Sequence, residues 1–500
     1  MTVATQTFIN EIDTLAEKRK NEILAAEDSL AISGKTYYVS NDGDDKNDGL
    51  SPDTPWKTLD RVSNADLAFG DGVLFKRGDL FRGSINTKAG VSYGAYGNGD
   101  KPKFYGGDRP LNDPKLWVEV DPEHHIWKWQ EKILDVGTLV FDEGKAHSVK
   151  LIPSYINGRF VCRNDESKIF DMKEEMVRDL DLYWHFEDKF STSPSKGESF
   201  PIPDLHDTLY GGDLYLRCDK GNPATVYSSI EPVAKRHMFY VSTNDNVTID
   251  NVCIKYVGQH AIGAGTVSGL HVSNCEIGWI GGSIQHYLGT DPNYPQGGRG
   301  TVTRYGNAVE IYGGCKDYRV SNCYIYQVYD AGITHQVTTN GKKYAMEDVL
   351  YENNLIEYCV YGIEYFLDIN LEDDGSYMKG VEMKGNIIRH SGYGWGQQRH
   401  NTHTPAHIKG WSYHNRASDY SIHDNIFDRA AYRMLHLVAK DEASLPEMYN
   451  NTYIQHDGGM LGQYGANNVA EPEILTFDDS VEEKIEKTFG DKNAKVYIIK

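Results

Sequence analysis

The 500-residue sequence has no apolar run long enough to span a bilayer, and its first residues lack the basic-then-apolar profile of a secretory signal. These two absences predict a cytoplasmic protein without a membrane partner. Basic residues are scarce too: 51 Lys and Arg stand against 72 Asp and Glu, which gives a formal net charge of −21. A chain this acidic is not expected to bind nucleic acid or a polyanionic substrate.

Cysteine and proline are also uncommon. The seven cysteines are odd in number and form no CxxC pair, which argues against a disulfide framework or a zinc knuckle. Three of them, Cys253, Cys275 and Cys323, closely follow recurring asparagines and predict a stacked row of apolar thiols in the core. With 17 prolines, 49 glycines and 34 tyrosines, the composition favours many short strands and tight turns rather than disorder.

A repeated phrase organises the chain from residue 247 onward. Each copy starts at a corner residue (Asn, Gly or Asp) and has an apolar residue three positions later. The corner residues are Asn251, Asn274, Asn322, Asn353, Gly385, Asp424 and Asn451, and the apolar residues of the last six copies are Ile277, Ile325, Ile356, Ile388, Phe427 and Ile454. The longest interval contains a loop at 282–305. Irregular coils with one strand phrase per turn predict a parallel β-helix, in which each coil pairs with the next.

The rest of the chain completes an all-β architecture. We predict an N-terminal helix at 1–34 that covers the open first coil, and the first coils of the β-helix at 35–106. The repeat disappears at 107–235, where alternating segments predict an inserted antiparallel, sandwich-like lobe. The main parallel β-helix then occupies 236–460, and 461–500 forms a C-terminal cap from a charged helix and a last strand. This cap could also mediate assembly of a homo-oligomer.

Three carboxylates fall at corresponding or neighbouring positions of successive coils. Glu310 and Glu364 lie in equivalent apolar phrases, and Asp330 precedes the phrase between them, which carries Thr334. Stacked strands are about 4.8 Å apart, so Glu310 and Glu364 should have Cα atoms about 9 to 10 Å apart. Carboxyls on neighbouring coils suit a retaining glycosidase, with about 5 to 5.5 Å between them, and the two-coil pair suits an inverting one, with about 6.5 to 9.5 Å. Crowding should raise the pKa of at least one of them.

Polar and aromatic residues around these phrases are candidates for contacts with a sugar. His335 and Gln336 follow Thr334, and the segment 395–407 offers Arg399 and His407. Aromatic rings stack on the apolar face of a sugar ring. The candidate residues for such stacking are Trp395 or Trp411, Tyr312, Tyr361 and Tyr365.

No metal site and no cofactor is predicted. The acidic loop 41–49 spaces three aspartates like calcium ligands, but it lacks the distal Glu of an EF-hand, so a solvated turn is the preferred interpretation. His400, His403 and His407 are spaced by three and four residues. Pro405 breaks the helical face that these histidines would need to share. The glycine-rich segments fit coil corners and not a phosphate-binding turn between a strand and a helix.

The phrases VSNDGDDKNDG, GNAVEIYGGC, VYDAGITHQ and GIEYF resemble those of right-handed parallel β-helix glycoside hydrolases. The resemblance covers roughly residues 35–455 and is nearest to the β-helix β-xylosidases; the β-helix fucosidase/xylanase family is a second match. It implies a right-handed β-helix interrupted by a β-sandwich, and short neutral, β-xyloside-like oligosaccharides as substrates. It also implies a retaining mechanism with Asp330 as nucleophile, Glu364 as general acid/base and Glu310 holding a sugar hydroxyl.

Two other functions stay open. A polysaccharide lyase or sugar epimerase on the same scaffold would abstract a proton with a Lys, Arg or Tyr base, and it would release an unsaturated, UV-absorbing sugar if it is a lyase. A non-catalytic carbohydrate-binding β-helix would bind sugar without turnover. The cluster of carboxylates and the acidic charge favour the hydrolase.

Overall fold

Three long sheets enclose one core and form a parallel β-helix in the computed structural model. It describes residues 2–28, 30–156, 159–185, 192–194, 201–203, 211–287, 302–339, 341–368, 375–399, 405–410, 416–466 and 474–500. Within the repeat, successive coils add one parallel strand to each sheet, and the apolar side chains of all three sheets share one continuous core. The predicted fold class is confirmed.

The first sheet also carries the edge strands that lead to the inserted lobe. Its strands are Thr2–Val3, Leu80–Arg82, Lys103–Tyr105, Val136–Phe141, Ala146–His147, Ile230–Ala234, Cys253–Val257, Glu276–Ile280, Tyr324–Val328, Leu355–Glu357, Ile387–Arg389, Ile426–Asp428, Thr452–His456 and Lys495–Ile499. The strands of the second sheet are Thr36–Val39, Gly72–Lys76, Ser92–Tyr96, Thr248–Asp250, Val267–Ser268, His271–Ser273, Cys315–Ser321, Ala345–Glu352, Tyr377–Lys384, Ala417–His423 and Glu447–Tyr449.

The third sheet positions the candidate site. Its strands are Ile85–Asn86, Phe239–Ser242, Ile262–Ala264, Val309–Tyr312, Ala331–Thr338, Tyr361–Asp368, Ala406–Gly410, Arg433–Ala439, Met460–Ala466 and Leu475–Thr476. Alternation along each strand sends every second side chain into the core. Ile333 and Ile363 are paired in register and point into that core, whereas Thr334 lies on the opposite face.

The recurring corner residues adopt the left-handed conformation that the repeat needs. Six of the predicted corners have φ between 50° and 64°, a region that Asn, Asp and Gly tolerate better than other residues. The prediction is wrong by one residue in the last copy. There the left-handed residue is Asn450, and Tyr453, not Ile454, pairs with Phe427.

A row of buried asparagines explains that shift. The side chain of Asn354 donates to Asn386, which donates to Asn425, which in turn donates to Asn451, at 3.0 to 3.1 Å. Asn451 therefore belongs to this interior ladder, one position after the corner. The predicted row of thiols is found in part: Cys275 and Cys323 are both buried beside the repeat corners, and Cys253 instead pairs with Glu276.

The N-terminal helix spans Gln6–Leu24 and is capped by Thr5, whose side chain accepts the backbone N–H of Phe8 at 3.2 Å. Its apolar residues, Ala16 and Ile23, pack on the outer face of the first sheet. The expectation that this helix covers the open first coil is wrong, because its contacts are with Tyr324–Val328 and Leu355–Glu357, in the middle of that sheet. The sequence shows an apolar helix face but not the surface that the face covers.

The inserted lobe is β-rich and mostly antiparallel. Its largest sheet contains Trp117–Asp121, Ile126–Trp129, Ile133–Leu134, Val149–Lys150, Asp181–His185 and Gly211–Arg217. A three-stranded sheet contains Ser154–Ile156, Arg159–Cys162 and Asp165–Ile169, and a two-stranded sheet contains Thr192–Pro194 and Pro201–Pro203. The lobe joins the β-helix through Val136–Phe141, which pairs antiparallel with Ile230–Ala234. A buried ion pair between Lys150 and Asp135 lies at this junction.

Helices are few and short in the described part of the chain. Apart from the N-terminal helix, the α-helical turns are Leu59–Ser63, Met172–Glu175, Pro223–Val226 and Val481–Lys484, the 3₁₀ turns are Asp142–Gly144, Trp395–Gln398 and Glu442–Ser444, and a π-helical turn spans Ile485–Phe489. Ile284–Tyr287 and Val302–Arg304 pair antiparallel at the base of the long loop. No helix among the described residues has both the length and the apolar character needed to cross a bilayer.

Candidate active site

One row of the third sheet carries the predicted carboxylates. Glu310 pairs with Thr334, Thr334 with Glu364, and Glu364 with Lys409 on the following strand. These residues alternate with core residues such as Ile333, so their side chains lie on the outer face of the sheet. The two glutamates thus occupy equivalent positions two coils apart, with the small Thr334 between them.

Asp330 precedes the strand that carries Thr334. Its carboxylate forms an ion pair with Arg399, which follows the 3₁₀ turn Trp395–Gln398. Both side chains are mostly buried, and a charge in such surroundings is stabilised chiefly by a partner of opposite sign.

The segment that carries Arg399 is fixed from two directions. Trp395 packs against Tyr329 with 5.1 Å between ring centroids and 45° between ring planes, and its indole N–H donates to the carbonyl oxygen of Gln327 at 2.8 Å. Gln398 reaches the inserted lobe, where its side chain accepts the backbone N–H of Lys150 at 3.1 Å and donates to the carbonyl oxygen of Ser148 at 2.8 Å. The lobe therefore helps to hold Arg399 against Asp330.

Glu364 has a lysine as its cationic neighbour. The Nζ atom of Lys409 lies 3.3 Å from Oε1 of Glu364 and 4.1 Å from the centroid of the Tyr361 ring. The guanidinium of Arg399 lies 5.8 Å from the same ring. Tyr361 thus provides an aromatic surface that both cations share.

Glu310 is held by neutral and ionisable partners. Gln336 donates to Oε1 of Glu310 at 3.2 Å, and Nδ1 of His260 contacts Oε2. The same Nδ1 atom also accepts the backbone N–H of Asn307 at 3.0 Å. One imidazole nitrogen cannot accept from Asn307 and donate to Glu310 at once, so the two contacts compete.

Burial and charge act in opposite directions on the ionisable groups. Burial raises the pKa of Asp330 to about 6, Arg399 opposes this shift and Glu364 adds to it. Burial alone would lower the pKa of Arg399, but Asp330 raises it above its ordinary value, so this guanidinium stays charged. Burial lowers the pKa of Lys409, and Glu364 offsets part of that effect. The cation beside Asp330 is permanent, whereas the cation beside Glu364 can lose its proton more readily.

A cavity of about 790 Å³ opens above these groups. All three predicted carboxylates line it, together with Gln336, Arg399 and Tyr312. Six of the predicted site residues are therefore brought to one place. A volume of this size accommodates a small ligand, and the mixture of aromatic and charged lining is typical of a ligand site.

Five other predicted residues do not line the cavity. One of them, Tyr361, is fully buried, with Lys409 over its ring. His335 and Tyr365 point into the core of the β-helix, where their rings stack with centroids 5.4 Å apart. His407 is also fully buried, and its Nδ1 atom lies 2.8 Å from the hydroxyl of Ser391. Trp395 packs on Tyr329, as described above. A direct sugar contact does not fit these five positions, because each side chain is enclosed by the protein itself. Trp411, His400 and His403 lie outside the described residues.

Several cavity residues were not predicted. Lys409 is the clearest omission, since its phrase Ile408-Lys409-Gly410 continues the row of Glu364. His237, Tyr240, His260 and Tyr305 also line the cavity. They lie in coils that precede the carboxylates or in the long loop, and their placement depends on how the coils stack rather than on a local motif.

The described residues hold no group of three or more His, Cys, Asp or Glu side chains arranged to bind a metal ion. In the acidic loop, Asp44 accepts the backbone N–H of Lys46 at 3.0 Å, and Asp48 accepts that of Leu50 at the same distance. These aspartates cap local turns, in agreement with the interpretation of the loop as a solvated turn.

No family model matches the chain. A stretch of 82 residues is 40% identical to the lacto-N-biosidase of Bifidobacterium longum subsp. longum, and this stretch covers 14% of the chain and 5% of that protein. The chain thus matches only a small part of this curated relative.

Solved structures similar to this chain include XylC with xylose, at 11% identity and a TM-score of 0.45, covering 93% of this chain and 82% of XylC. The GH136 lacto-N-biosidase from Eubacterium ramulus is 14% identical, with a TM-score of 0.37 and coverage of 98% and 71%. A polygalacturonase from Erwinia carotovora is 10% identical, with a TM-score of 0.33 and coverage of 95% and 97%.

Proposed function

We propose that this protein is a glycoside hydrolase that cleaves short neutral oligosaccharides, with β-xyloside-like substrates as the first choice. The observation that carries the proposal is the convergence of Asp330, Glu364 and Glu310 on one cavity that also has aromatic walls. Glycoside hydrolysis needs two carboxyl groups in different protonation states on either side of the scissile bond. The acidic charge of the chain agrees with a neutral substrate.

Asp330 is proposed as the nucleophile and Glu364 as the general acid/base. Arg399 keeps its charge at every working pH and supports an ionised Asp330, although burial raises the pKa of that carboxyl to about 6. At pH 7 Asp330 is still mostly ionised. Glu364 has to carry a proton and then release it, and Lys409, whose Nζ atom lies 3.3 Å from Oε1 of Glu364, stabilises the carboxylate form.

The reaction then proceeds in two steps. Asp330 attacks the anomeric carbon while the carboxyl of Glu364 donates its proton to the leaving oxygen, and the glycosidic bond breaks. Glu364, now a carboxylate, takes a proton from water, which attacks the anomeric carbon and releases Asp330 with net retention of configuration. Glu310 is proposed to hold a sugar hydroxyl, and Gln336, which donates to it, fixes its orientation.

A screen of aryl glycosides tests the proposal. We expect the wild-type protein to release the aryl alcohol from at least one neutral glycoside, with an aryl β-xyloside tested first. Asp330→Asn and Glu364→Gln should each abolish most of this activity. Turnover of none of the glycosides, or turnover that survives both substitutions, would contradict the proposal, and sugar binding without turnover in every variant would indicate a non-catalytic carbohydrate-binding protein.

Lys409 favours a second candidate, a lyase or epimerase. A lysine with a lowered pKa inside a cavity is a competent base for abstracting a proton beside a carboxylate, and Arg399 could neutralise the resulting charge. Incubation with uronate-containing oligosaccharides decides between the two reactions. An unsaturated product that absorbs in the ultraviolet would establish the lyase, whereas the hydrolase is expected to leave these acidic sugars intact and to cleave only neutral glycosides.

A further inference from the structure

Four aromatic rings form a continuous stack in the wall of the cavity. Tyr240 and His237 have centroids 5.2 Å apart, as do His237 and His260, and His260 and Tyr305 are 5.4 Å apart. The angles between successive ring planes are 30°, 12° and 24°. All four side chains line the same cavity as the carboxylates. Nothing in the proposed hydrolytic steps uses them.

One member of the stack, Tyr240, lies in the same row of paired positions of the third sheet as Glu310 and Glu364. Tyr240 pairs with Gly263, which pairs with Glu310, so Tyr240 is two coils before Glu310. Gly263 contributes no side chain to the row, and a Cβ atom there would come within 3.0 Å of Nδ1 of His237. The glycine leaves the space that the histidine ring occupies. The row therefore continues from the carboxylates to an aromatic surface without an intervening bulky side chain.

The distances along the row exceed the size of one sugar ring. Coils repeat about every 4.8 Å, so Tyr240 and Glu364, four coils apart, are separated by about 19 Å along the axis of the β-helix. A single pyranose held at Glu364 does not reach Tyr240. A ligand that fills both places must contain at least two linked sugar units.

The chemistry of the stack selects neutral sugars. An aromatic face binds the apolar face of a pyranose, and Tyr240, which is 44% exposed, is the most exposed member of the stack. Imidazole nitrogens and phenolic hydroxyls can exchange hydrogen bonds with sugar hydroxyls. No fixed positive charge belongs to the stack, so it offers an acidic sugar no permanent partner.

We propose that Tyr240, His237, His260 and Tyr305 form a second sugar-binding subsite, which holds a neutral pyranose of an oligosaccharide whose next units extend toward Asp330 and Glu364. This inference deepens the proposed glycosidase function and rests on it for the orientation of the ligand. It makes the preferred ligand an oligosaccharide rather than a monosaccharide glycoside. It also makes Tyr240 a residue that determines specificity, since its ring contacts a sugar that does not react.

Direct binding to an inactive protein tests the subsite without relying on turnover. The full-length Asp330→Asn variant is titrated by calorimetry with xylose, xylobiose and xylotetraose, and with the corresponding glucose and galactose sugars. We expect at least one tetrasaccharide to bind about tenfold or more tightly than its monosaccharide. Adding Tyr240→Ala should remove most of that difference, and Tyr240→Phe, which keeps the ring, should restore it.

A matched control uses Tyr393, which is 49% exposed and does not line the cavity in the described structure. Tyr393→Ala in the same Asp330→Asn protein should leave the affinities unchanged, and thermal denaturation shows that each variant is folded. Equal affinities for short and long sugars, an unchanged length dependence in Tyr240→Ala, or binding of none of the sugars would overturn the subsite. Aryl glycoside hydrolysis by the wild-type protein decides the proposed function separately, so the two can fail independently.

Discussion

The Nζ atom of Lys409 lies 3.3 Å from Oε1 of Glu364, on the next strand of the third sheet and in the same row. This lysine is also one of the charges that lower the pKa of Asp330. It therefore acts on both carboxyls that are proposed to react. A single aliphatic substitution would change the electrostatics of the whole centre.

We predict that Lys409→Met lowers kcat/KM by about 10- to 100-fold. The variant loses a positive charge that favours the ionised form of Asp330, so the pKa of Asp330 should rise and the acidic limb of the pH–rate profile should move to higher pH. Lys409→Arg keeps the charge and should leave the limb near its wild-type position. Profiles of kcat/KM between pH 4 and 9 provide the measurement. A limb that does not move in Lys409→Met would show that the charge of Lys409 does not reach Asp330.

The wild-type pH profile itself tests the role of Asp330. A nucleophile must be ionised, and burial raises the pKa of this carboxyl to about 6. We therefore expect kcat/KM to rise with pH and to reach half of its plateau near pH 6. A profile of kcat/KM that does not rise with pH in this region would contradict an ionised Asp330 as the nucleophile.

Chemical rescue by azide assigns the same roles by product stereochemistry. In Asp330→Ala, azide can occupy the space of the lost nucleophile and should give a glycosyl azide with the anomeric configuration opposite to that of the substrate. In Glu364→Ala, azide should replace water in the second step and give a glycosyl azide with the configuration of the substrate. Nuclear magnetic resonance of the products distinguishes the two. If the two variants give the reverse pattern, Glu364 is the nucleophile.

His335 provides a prediction about stability rather than catalysis. Burial lowers its pKa to about 3, well below the value of about 6.5 for an unfolded histidine. Between these two values the unfolded chain binds a proton that the folded protein does not, so stability is present above pH 6.5 and is lost as pH falls toward 3. His335→Phe should reduce this loss by up to about 1.4 kcal/mol per pH unit. Urea denaturation at pH 7 and pH 5 measures the difference.

The same variant also tests whether His335 contacts substrate. The hydroxyl of Tyr351, 2.7 Å from Nδ1 of His335, loses this partner, so His335→Phe should cost about 1 to 3 kcal/mol of stability at pH 7. The KM for a cleaved glycoside should stay within about twofold of wild type, because the ring faces the core. A large increase in KM with intact stability would restore His335 to the substrate site.

The register of the site could be predicted from the sequence because side chains along a β-strand alternate strictly between its two faces. Apolar residues on both sides of Glu310 and Glu364 require the glutamates to face outward together, and the strand pairing agrees. The same alternation places His335 and Tyr365, each one residue further along its strand, in the core and away from a substrate.

Other parts of the site depend on contacts that no local pattern encodes. The ion pair between Arg399 and Asp330 joins residues 69 positions apart in sequence. Lys409 becomes recognisable only after its coil is aligned with that of Glu364. The stack that contains Tyr240 arises from coils and a loop with irregular lengths. The N-terminal helix shows the same limit, because amphipathic periodicity identifies a buried face and leaves its partner undetermined.

The two hydrogen bonds between Gln398 and the lobe have a mechanical consequence for the reaction centre. They connect the inserted lobe to Gln398, the residue that precedes Arg399 in the chain. If the lobe tilts as a rigid body, these hydrogen bonds transmit the displacement to the guanidinium of Arg399 and change its separation from Asp330. An antibody or a crosslink that immobilises the lobe would then alter the rate of turnover from a distance, without touching a ligand.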